Sequence, residues 1–470
     1  MDLLRENVHV HLIGIGGIGL SAIARVLNGW GCRVSGSDQN PSALTKALTA
    51  EGITVFVGHR AEQVAGANLV VVSSAVPDDN PEVIEARNRN LPVVKREQFL
   101  SELTAGKITV AVAGAHGKTT TSAMIAWILT EVGLEPAFIV GGLLQNLGTN
   151  AQAGQGPHFV IEADEYDRTF LGLQPDVAVI TTVEHDHPDC YPTFDEMRTA
   201  FAQFAEQVSS KGLLIICGED AEASQLGDRL KAEGRRVVTY GLSSEQDWWA
   251  EGVQLGNNAA FEVWRRGKQL GTCALQLPGR HNVLNALAAL AASAELGVGL
   301  GAAAAALTRF RGTARRFEVK GQAAGITVVD DYAHHPTEIK ATLAAARLKY
   351  PGRSLWAVFQ PHTYSRTATL LDDFASAFED ADHVLVTEIY AAREHDTLGI
   401  SGRDVVDRAP HPDARYVETL EDAAVALLEH LQPGDIVLTL GAGDSYLIGE
   451  RVLECLETLE RQPGAAKRSE

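Results

Sequence analysis

Residues 108–121 read ITVAVAGAHGKTTT. An apolar run from Ile108 to Ala113 has the length and composition of a buried strand. It leads directly into Gly114-Ala115-His116-Gly117-Lys118-Thr119-Thr120, and a helical pattern follows from Ser122 to Leu129. A glycine loop between strand and helix lets main-chain N–H groups cradle phosphate oxygens. Lys118 would neutralise those oxygens, and the Thr119 hydroxyl suits a magnesium ion. The loop departs from G-x-x-x-x-G-K-[ST], because the first glycine of that pattern would fall on Val112. A strand ending in such a loop belongs to a parallel sheet with helices on its faces, so the chain reads as α/β.

Downstream, strands are expected at His158–Ala163, Val177–Thr182 and Leu213–Cys217, and a helix at Asn282–Leu296. Two acidic clusters fall at strand ends. They are Glu162-Ala163-Asp164-Glu165-Tyr166-Asp167 and Glu184-His185-Asp186-His187-Pro188-Asp189. Parallel sheets bind ligands at these carboxyl ends. Hard oxygen ligands favour magnesium, and zinc is the competing reading for His185 and His187. Segment 247–277 differs, with aromatics, alternation and turn signals that predict a small antiparallel excursion. Gly279 to Asn285 opens the long helix, placing His281 and Asn285 on one face. A nucleobase contact and helix capping by Asn282 both fit this segment.

Upstream, the strand Val8–Ile13 is followed by Gly14-Ile15-Gly16-Gly17-Ile18-Gly19 and a helix from about Ser21. This is G-x-G-x-x-G in its proper context, with Asp38 after the second strand. It fits a diphosphate, but does not separate a nicotinamide cofactor from a UDP-sugar. Strands at Arg33–Ser37, Leu69–Ser73 and Pro92–Val94 complete this unit. His9 and His11 share one strand face. A third cycle has strands at Ile326–Asp330, Ser354–Phe359, His383–Thr387 and Asp435–Leu440. Polar clusters end each of them: Asp330 to Pro336, Gln360 to Arg366, Glu388 to Tyr390 and Gly441 to Asp444. Four such clusters on one sheet edge point to a site.

The whole has 470 residues, with 45% hydrophobic and 21% charged, which suits several folded cores. A net charge of -20 argues against a general nucleic-acid or anionic-membrane binder. Five scattered cysteines read as reduced thiols, and no apolar run reaches membrane-helix length. A cytoplasmic protein, monomer or homodimer, is expected.

Taken in order, GIGGIG, SSAV (73–76), GAHGKTTT, EADEYD, HDHPD, GRHNVLN, ARRF, DDYAHHPTE and FQPH resemble the Mur ligase family over nearly the whole chain. The resemblance implies three α/β domains in series. These are a Rossmann-like UDP-substrate domain (1–104), a central P-loop ATP domain with a mostly parallel sheet (105–312) and a Rossmann-like amino-acid domain (313–461), followed by a frayed tail (462–470). The most similar branch joins L-alanine to UDP-N-acetylmuramate with ATP and Mg2+, Mn2+ being an alternative, in peptidoglycan synthesis. A sibling ligase adding a preformed peptide, a nicotinamide-dependent oxidoreductase and a non-catalytic nucleotide sensor are the competing readings.

By the same resemblance Gly14, Gly16, Gly17, Ile18, Gly19, Ser37, Asp38, Ser73 and Ser74 face the UDP-substrate. Gly114, Ala115, His116, Gly117, Lys118, Thr119, Thr120, His281, Asn285, Arg316 and Asp331 face ATP. Thr119, Glu162 and His187 hold metal, and Tyr332, His334, His362 and Arg366 surround the amino acid and the carboxylate. Lys118, Glu162, His187, Arg316, His334 and His362 are the catalytic candidates. The pattern does not say which histidine takes the proton of the amine. The second metal is bridged by a carbamylated lysine in several Mur ligases, but no lysine lies between His187 and Ser210 here.

Overall fold

The structure is a computed structural model, and it describes residues 8–461. The expected tail from Gln462 lies outside the described residues. Three sheets follow one another along the chain. The first has five parallel strands, in the order Thr54–Val57, Arg33–Asp38, His9–Ile13, Leu69–Val72 and Val93–Lys95. The apolar strand His9–Ile13 is central and wholly buried. Thr54–Val57 was not foreseen, being a short edge strand with two of its four residues exposed. The helix Ile18–Gly29 starts before Ser21, because Gly17 stands in extended backbone as its N-cap.

The second sheet has ten strands and is mostly parallel at its centre, where Leu213–Cys217, Val177–Ile180, Ile108–Ala113 and His158–Glu162 lie side by side. The expected antiparallel excursion is present as Trp248–Leu255, Ala259–Arg265 and Lys268–Leu275. It is not a separate body. Trp248 pairs with Tyr240, so the hairpins prolong the central sheet. Ala137–Leu144 escaped prediction, since Gly141-Gly142 reads as a loop. The P-loop helix runs Lys118–Glu131, starting at the lysine rather than at Ser122. It packs on the alanine-rich helix Arg280–Glu295, whose small side chains permit close approach.

The third sheet has six strands, in the order Glu318–Ala323, Ile326–Asp331, Ile436–Leu440, Leu355–Phe359, His383–Val386 and Ala414–Tyr416. Only the first is antiparallel. Both edge strands were missed.

The cores are unequally shared. One apolar cluster runs from the first sheet into the central unit, joining Val10, Leu27 and Leu103 with Phe159, Ile180 and Phe201. The clusters of the third unit hold only residues from Phe317 onward. Burial therefore welds the first two units, while polar contacts attach the third.

Candidate functional site

The glycines of the phosphate loop are fixed by their neighbours. Gly117 has φ +81°, and a Cβ there would sit 2.5 Å from Asn285 Oδ1. Gly114 has φ +135° and lies against Thr181 and Thr182. The loop is pinned when Ala115 N donates to Thr182 O (2.8 Å) and His116 N to Thr182 Oγ1 (3.0 Å). Lys118 Nζ donates to Gly114 O (2.6 Å) and to Glu165 Oε1 (2.7 Å). Burial pushes the Glu165 carboxyl up to about 7, against the pull of Lys118. Its Oε2 is buried without a hydrogen-bond partner.

Thr119 Oγ1 donates to Glu162 Oε1 (3.0 Å), and Gly141 N donates to Glu162 Oε2 (2.6 Å). The hydroxyl and the carboxylate thus meet at the loop, a hard oxygen pair that fits magnesium. His187 stands across the cleft in left-handed backbone, φ 54°, with Nε2 3.7 Å from both Glu165 and Asp186. Among the described residues, the one cluster of three or more His, Cys, Asp or Glu close enough to share an ion is instead His116, Glu184 and His335. His116 Nε2 lies 2.8 Å from Glu184 and Nδ1 3.3 Å from Glu338. Burial opposes its protonation, but the two carboxylates outweigh it and raise the imidazole to about 10. A ring charged on both sides is a poor metal ligand. His185 Nε2 donates to Tyr191 O (2.9 Å) and is not part of this cluster.

Behind the loop is a cavity of about 180 Å³, lined by Gly117, Thr120, Tyr240, His281, Asn285, Arg316 and Asp331 among others. Burial lowers His281 to about 4, so it stands neutral. Asn282 does not cap the helix; the N-cap is Gly279, and the Asn282 amide donates to Pro278 O (2.8 Å). Asp331 accepts main-chain N–H bonds from Phe317 (2.7 Å) and Ala333 (2.8 Å), which fix its carboxylate at the cavity wall. Burial raises it to about 6.

A larger cleft of about 590 Å³ draws on all three units. The first contributes Ile18, Gly19 and Arg96; the second Ala115, Lys118, Thr119, Glu162 and His187; the third Arg316, Tyr332, His334, His362 and Arg366. Arg366 is almost fully buried, and its Nε donates to Asp186 Oδ1 at 2.7 Å. Burial would raise the Asp186 carboxyl, but Arg366 outweighs it and holds the group well below its ordinary range. Arg366 also donates to His362 O (2.6 Å). Its guanidinium thus ties the second and third units together while still lining the cleft.

In the first unit Gly14, Gly17, Asp38 and Ser73 line a groove of about 740 Å³. Gly16 N donates to Asp38 Oδ2 (2.9 Å), which closes the glycine turn. Ile18 and Gly19 lie instead in the central cleft, and Ser74 is exposed outside the groove lining. Ser37 is buried and bonds His59 Nδ1 (3.0 Å). His59 and Asn80, which line the groove, were missed; the histidine after the edge strand Thr54–Val57 carried no motif. Nor did the sequence single out Glu338, which meets His116, His334 and Arg316. His9 and His11 are not ligands. Both bond Ser35 Oγ at 2.8 Å, and His11 continues to the buried Glu82 at 2.6 Å.

Three α/β units converging on one phosphate loop define a multidomain P-loop protein working at a domain junction. Family models agree. The Mur ligase family catalytic domain matches residues 9–108, the Mur ligase middle domain 112–293, and the Mur ligase glutamate ligase domain 315–443. The chain belongs to the Mur ligase family. It is 47% identical over 453 residues to the UDP-N-acetylmuramate–L-alanine ligase of Salinibacter ruber, covering 95% of each chain. It is 45% identical to that of Geobacter sp. (strain M21), over 94% of this chain and 96% of the relative. The crystal structure of the UDP-N-acetylmuramate-alanine ligase of Thermotoga maritima superposes with a TM-score of 0.80 at 31% identity, over 96% of this chain and 100% of that one.

Proposed function

We propose that the protein joins L-alanine to the lactyl carboxylate of UDP-N-acetylmuramate with hydrolysis of ATP, giving UDP-N-acetylmuramoyl-L-alanine, ADP and phosphate in peptidoglycan precursor synthesis. The observation that carries this reading is the single cleft to which all three units contribute. With full-length similarity to ligases of that name, it favours a UDP-sugar in the first unit (1–104), ATP in the second (105–312) and the amino acid at the third (313–461). Cytoplasmic work fits this substrate set, and no helix among the described residues is long and apolar enough to cross a membrane.

A carboxylate resists attack by an amine because its leaving group is poor. Phosphoryl transfer from ATP to the lactyl oxygen makes an acyl phosphate, and the amine then displaces phosphate through a tetrahedral intermediate. Lys118, which here reaches the loop carbonyls, is placed to neutralise the β- and γ-phosphates, with Arg316 on the γ side from the third unit. The 180 Å³ cavity, with His281 and Asn285, takes the adenosine end. Thr119 and Glu162 would hold one magnesium ion and Glu162 with His187 a second, and such ions would offset the charge crowding of phosphate beside carboxylate. The first-unit groove, with its glycine turn, takes the UDP group.

The test is phosphate release from Mg-ATP with UDP-N-acetylmuramate and each amine in turn. Release requiring both UDP-N-acetylmuramate and L-alanine, with the amide product detected, is expected. Release driven only by a peptide would move the protein to the sibling activity. Lys118→Ala should abolish turnover; undiminished release would overturn the ATP assignment.

A further inference from the structure

We propose that His334, oriented by Glu338, is the base that takes the proton from the ammonium group of the incoming amino acid. The inference rests on the ligase reading above and selects among the histidines that the sequence left equivalent.

Three histidines line the 590 Å³ cleft: His187, His334 and His362. An ammonium ion is no nucleophile, so one proton must leave before the C–N bond forms. A neutral imidazole can take it only through a nitrogen whose lone pair faces the cleft. Partners of single hydrogen-bonding sense reveal where each ring keeps its proton. His362 Nδ1 lies 3.1 Å from Arg366 Nη1. A guanidinium only donates, so this Nδ1 accepts, and the ring proton sits on Nε2. His362 can thus offer a hydrogen bond to the cleft but has no open lone pair there. His187 is set aside because the ligase reading gives its ring to a metal ion, and its Nδ1 also lies 3.4 Å from Arg366 Nη2.

His334 has the opposite arrangement. Its Nδ1 lies 3.0 Å from Tyr332 O, a carbonyl that can only accept, and 3.2 Å from Glu338 Oε2. Nδ1 therefore carries the proton. In the neutral ring Nε2 then holds the lone pair, and it makes no hydrogen bond within the protein among the described residues. The main-chain N–H of His334 also donates to Glu338 Oε2 (3.1 Å), so one carboxylate fixes both the backbone and the ring. Tyr332 packs edge-on at 5.4 Å and His362 edge-on at 5.9 Å, which closes the remaining rotation. A carboxylate bonded behind an imidazole holds the useful tautomer and stabilises the imidazolium that forms. Glu338 remains ionised in that role. Burial opposes its charge, but the hydrogen bonds from the His334 ring and from His116 outweigh it, and Arg316 Nη1 lies 3.4 Å away. Asp186, which senses His334 across the cleft, is paired with Arg366.

The step balances simply. One ammonium proton passes to His334 Nε2. The freed nitrogen pair attacks the acyl carbon, the C–N bond forms, and the C–O bond to phosphate breaks with its electron pair leaving on phosphate, which takes the second proton from the new N–H2+ centre as the amide forms. The imidazolium keeps its Nδ1 hydrogen on Glu338 and later releases the other proton to water.

Hydroxylamine is the discriminating probe, because it is largely uncharged near neutral pH and needs no base before attacking an acyl phosphate. The assay compares saturating L-alanine with hydroxylamine as acceptors for UDP-N-acetylmuramate and Mg-ATP at pH 7, in wild type, His334→Gln and Glu338→Gln. The alanine-to-hydroxylamine ratio of kcat should fall about a hundredfold or more in His334→Gln, the usual scale of a lost general base. It should recover about tenfold per pH unit, as free amine replaces the missing base. Glu338→Gln should lower the same ratio by about tenfold. A ratio unchanged in both variants, or a fall without recovery at higher pH, would overturn the proposal. Wild-type protein that makes hydroxamate but no alanine amide would retain the ATP chemistry and overturn both the amino-acid assignment and this base. Wild-type protein that uses neither nucleophile would sink the ligase reading itself.

Discussion

Among the described residues the third unit shares no apolar cluster with the other two, so the Asp186–Arg366 pair should carry much of the closed arrangement. The perturbation is a double-mutant cycle: Asp186→Asn, Arg366→Met and both together. The pair is 2.7 Å apart, with side chains 4% and 3% exposed. Removing one partner of such a pair strands a buried charge, at about 3–5 kcal/mol. Arg366→Met strands an anion, and also leaves His362 O without its 2.6 Å donor. Asp186→Asn keeps an oxygen for the His187 main-chain N–H but removes the charge that faces Arg366. If the closed arrangement is needed in the transition state, kcat/KM should fall about 150-fold to several-thousand-fold in each single variant, at tenfold per 1.4 kcal/mol. The double variant leaves no unpaired charge and should cost far less than the sum, with a coupling of about 2 kcal/mol or more. The assay is alanine-dependent phosphate release at subsaturating substrate. Costs that add within about 0.5 kcal/mol, the behaviour of independent sites, would refute the reasoning.

Three further outcomes are expected. His116 carries a pKa raised to about 10 in the fold against 6.5 ordinarily, so its bridge between Glu184 and Glu338 contributes fully below pH 6.5 and is lost as pH rises through about 10. Urea unfolding should show that loss, at most about 5 kcal/mol, and His116→Gln should flatten it; an equally steep alkaline fall in the variant would count against the bridge. Gly117→Ala places a Cβ 2.5 Å from Asn285 Oδ1 in left-handed backbone, and a fluorescent ATP analogue should bind at least about tenfold more weakly, strain of about 1–2 kcal/mol alone giving that loss. Glu82→Leu removes the fully buried acceptor of His11 (2.6 Å) and His59 (2.7 Å); His59 Nδ1 keeps Ser37 Oγ at 3.0 Å, so the one stranded donor, on His11, should cost about 1–3 kcal/mol in denaturant melts, and a loss below about 0.5 kcal/mol would contradict the network.

The chain's local patterns were sufficient for much of this molecule. Apolar runs ended by glycine loops are governed by neighbours along the chain, so Ile108–Ala113 with its loop, and His9–Ile13 with its turn, were legible where they stand. The acidic and polar strand ends were legible because parallel topology gathers carboxyl ends on one edge. Two edge strands were not, since Thr54–Val57 and Ala414–Tyr416 are short and held mainly by their neighbours' hydrogen bonds. Nor could the sequence show that the hairpins of 248–275 join the central sheet, which depends on one parallel pairing at Tyr240 and Trp248.

By itself, then, the sequence determined the α/β class, the phosphate loop and the set of polar residues brought to the cleft. Only the tertiary structure decided what those residues are bonded to. Arg366 faces Asp186 across 180 positions of chain, and His116 faces Glu338 across 222. A side chain's tautomer, charge and availability follow from its partners in space, and partners so far apart along the chain leave no periodicity for a sequence to display.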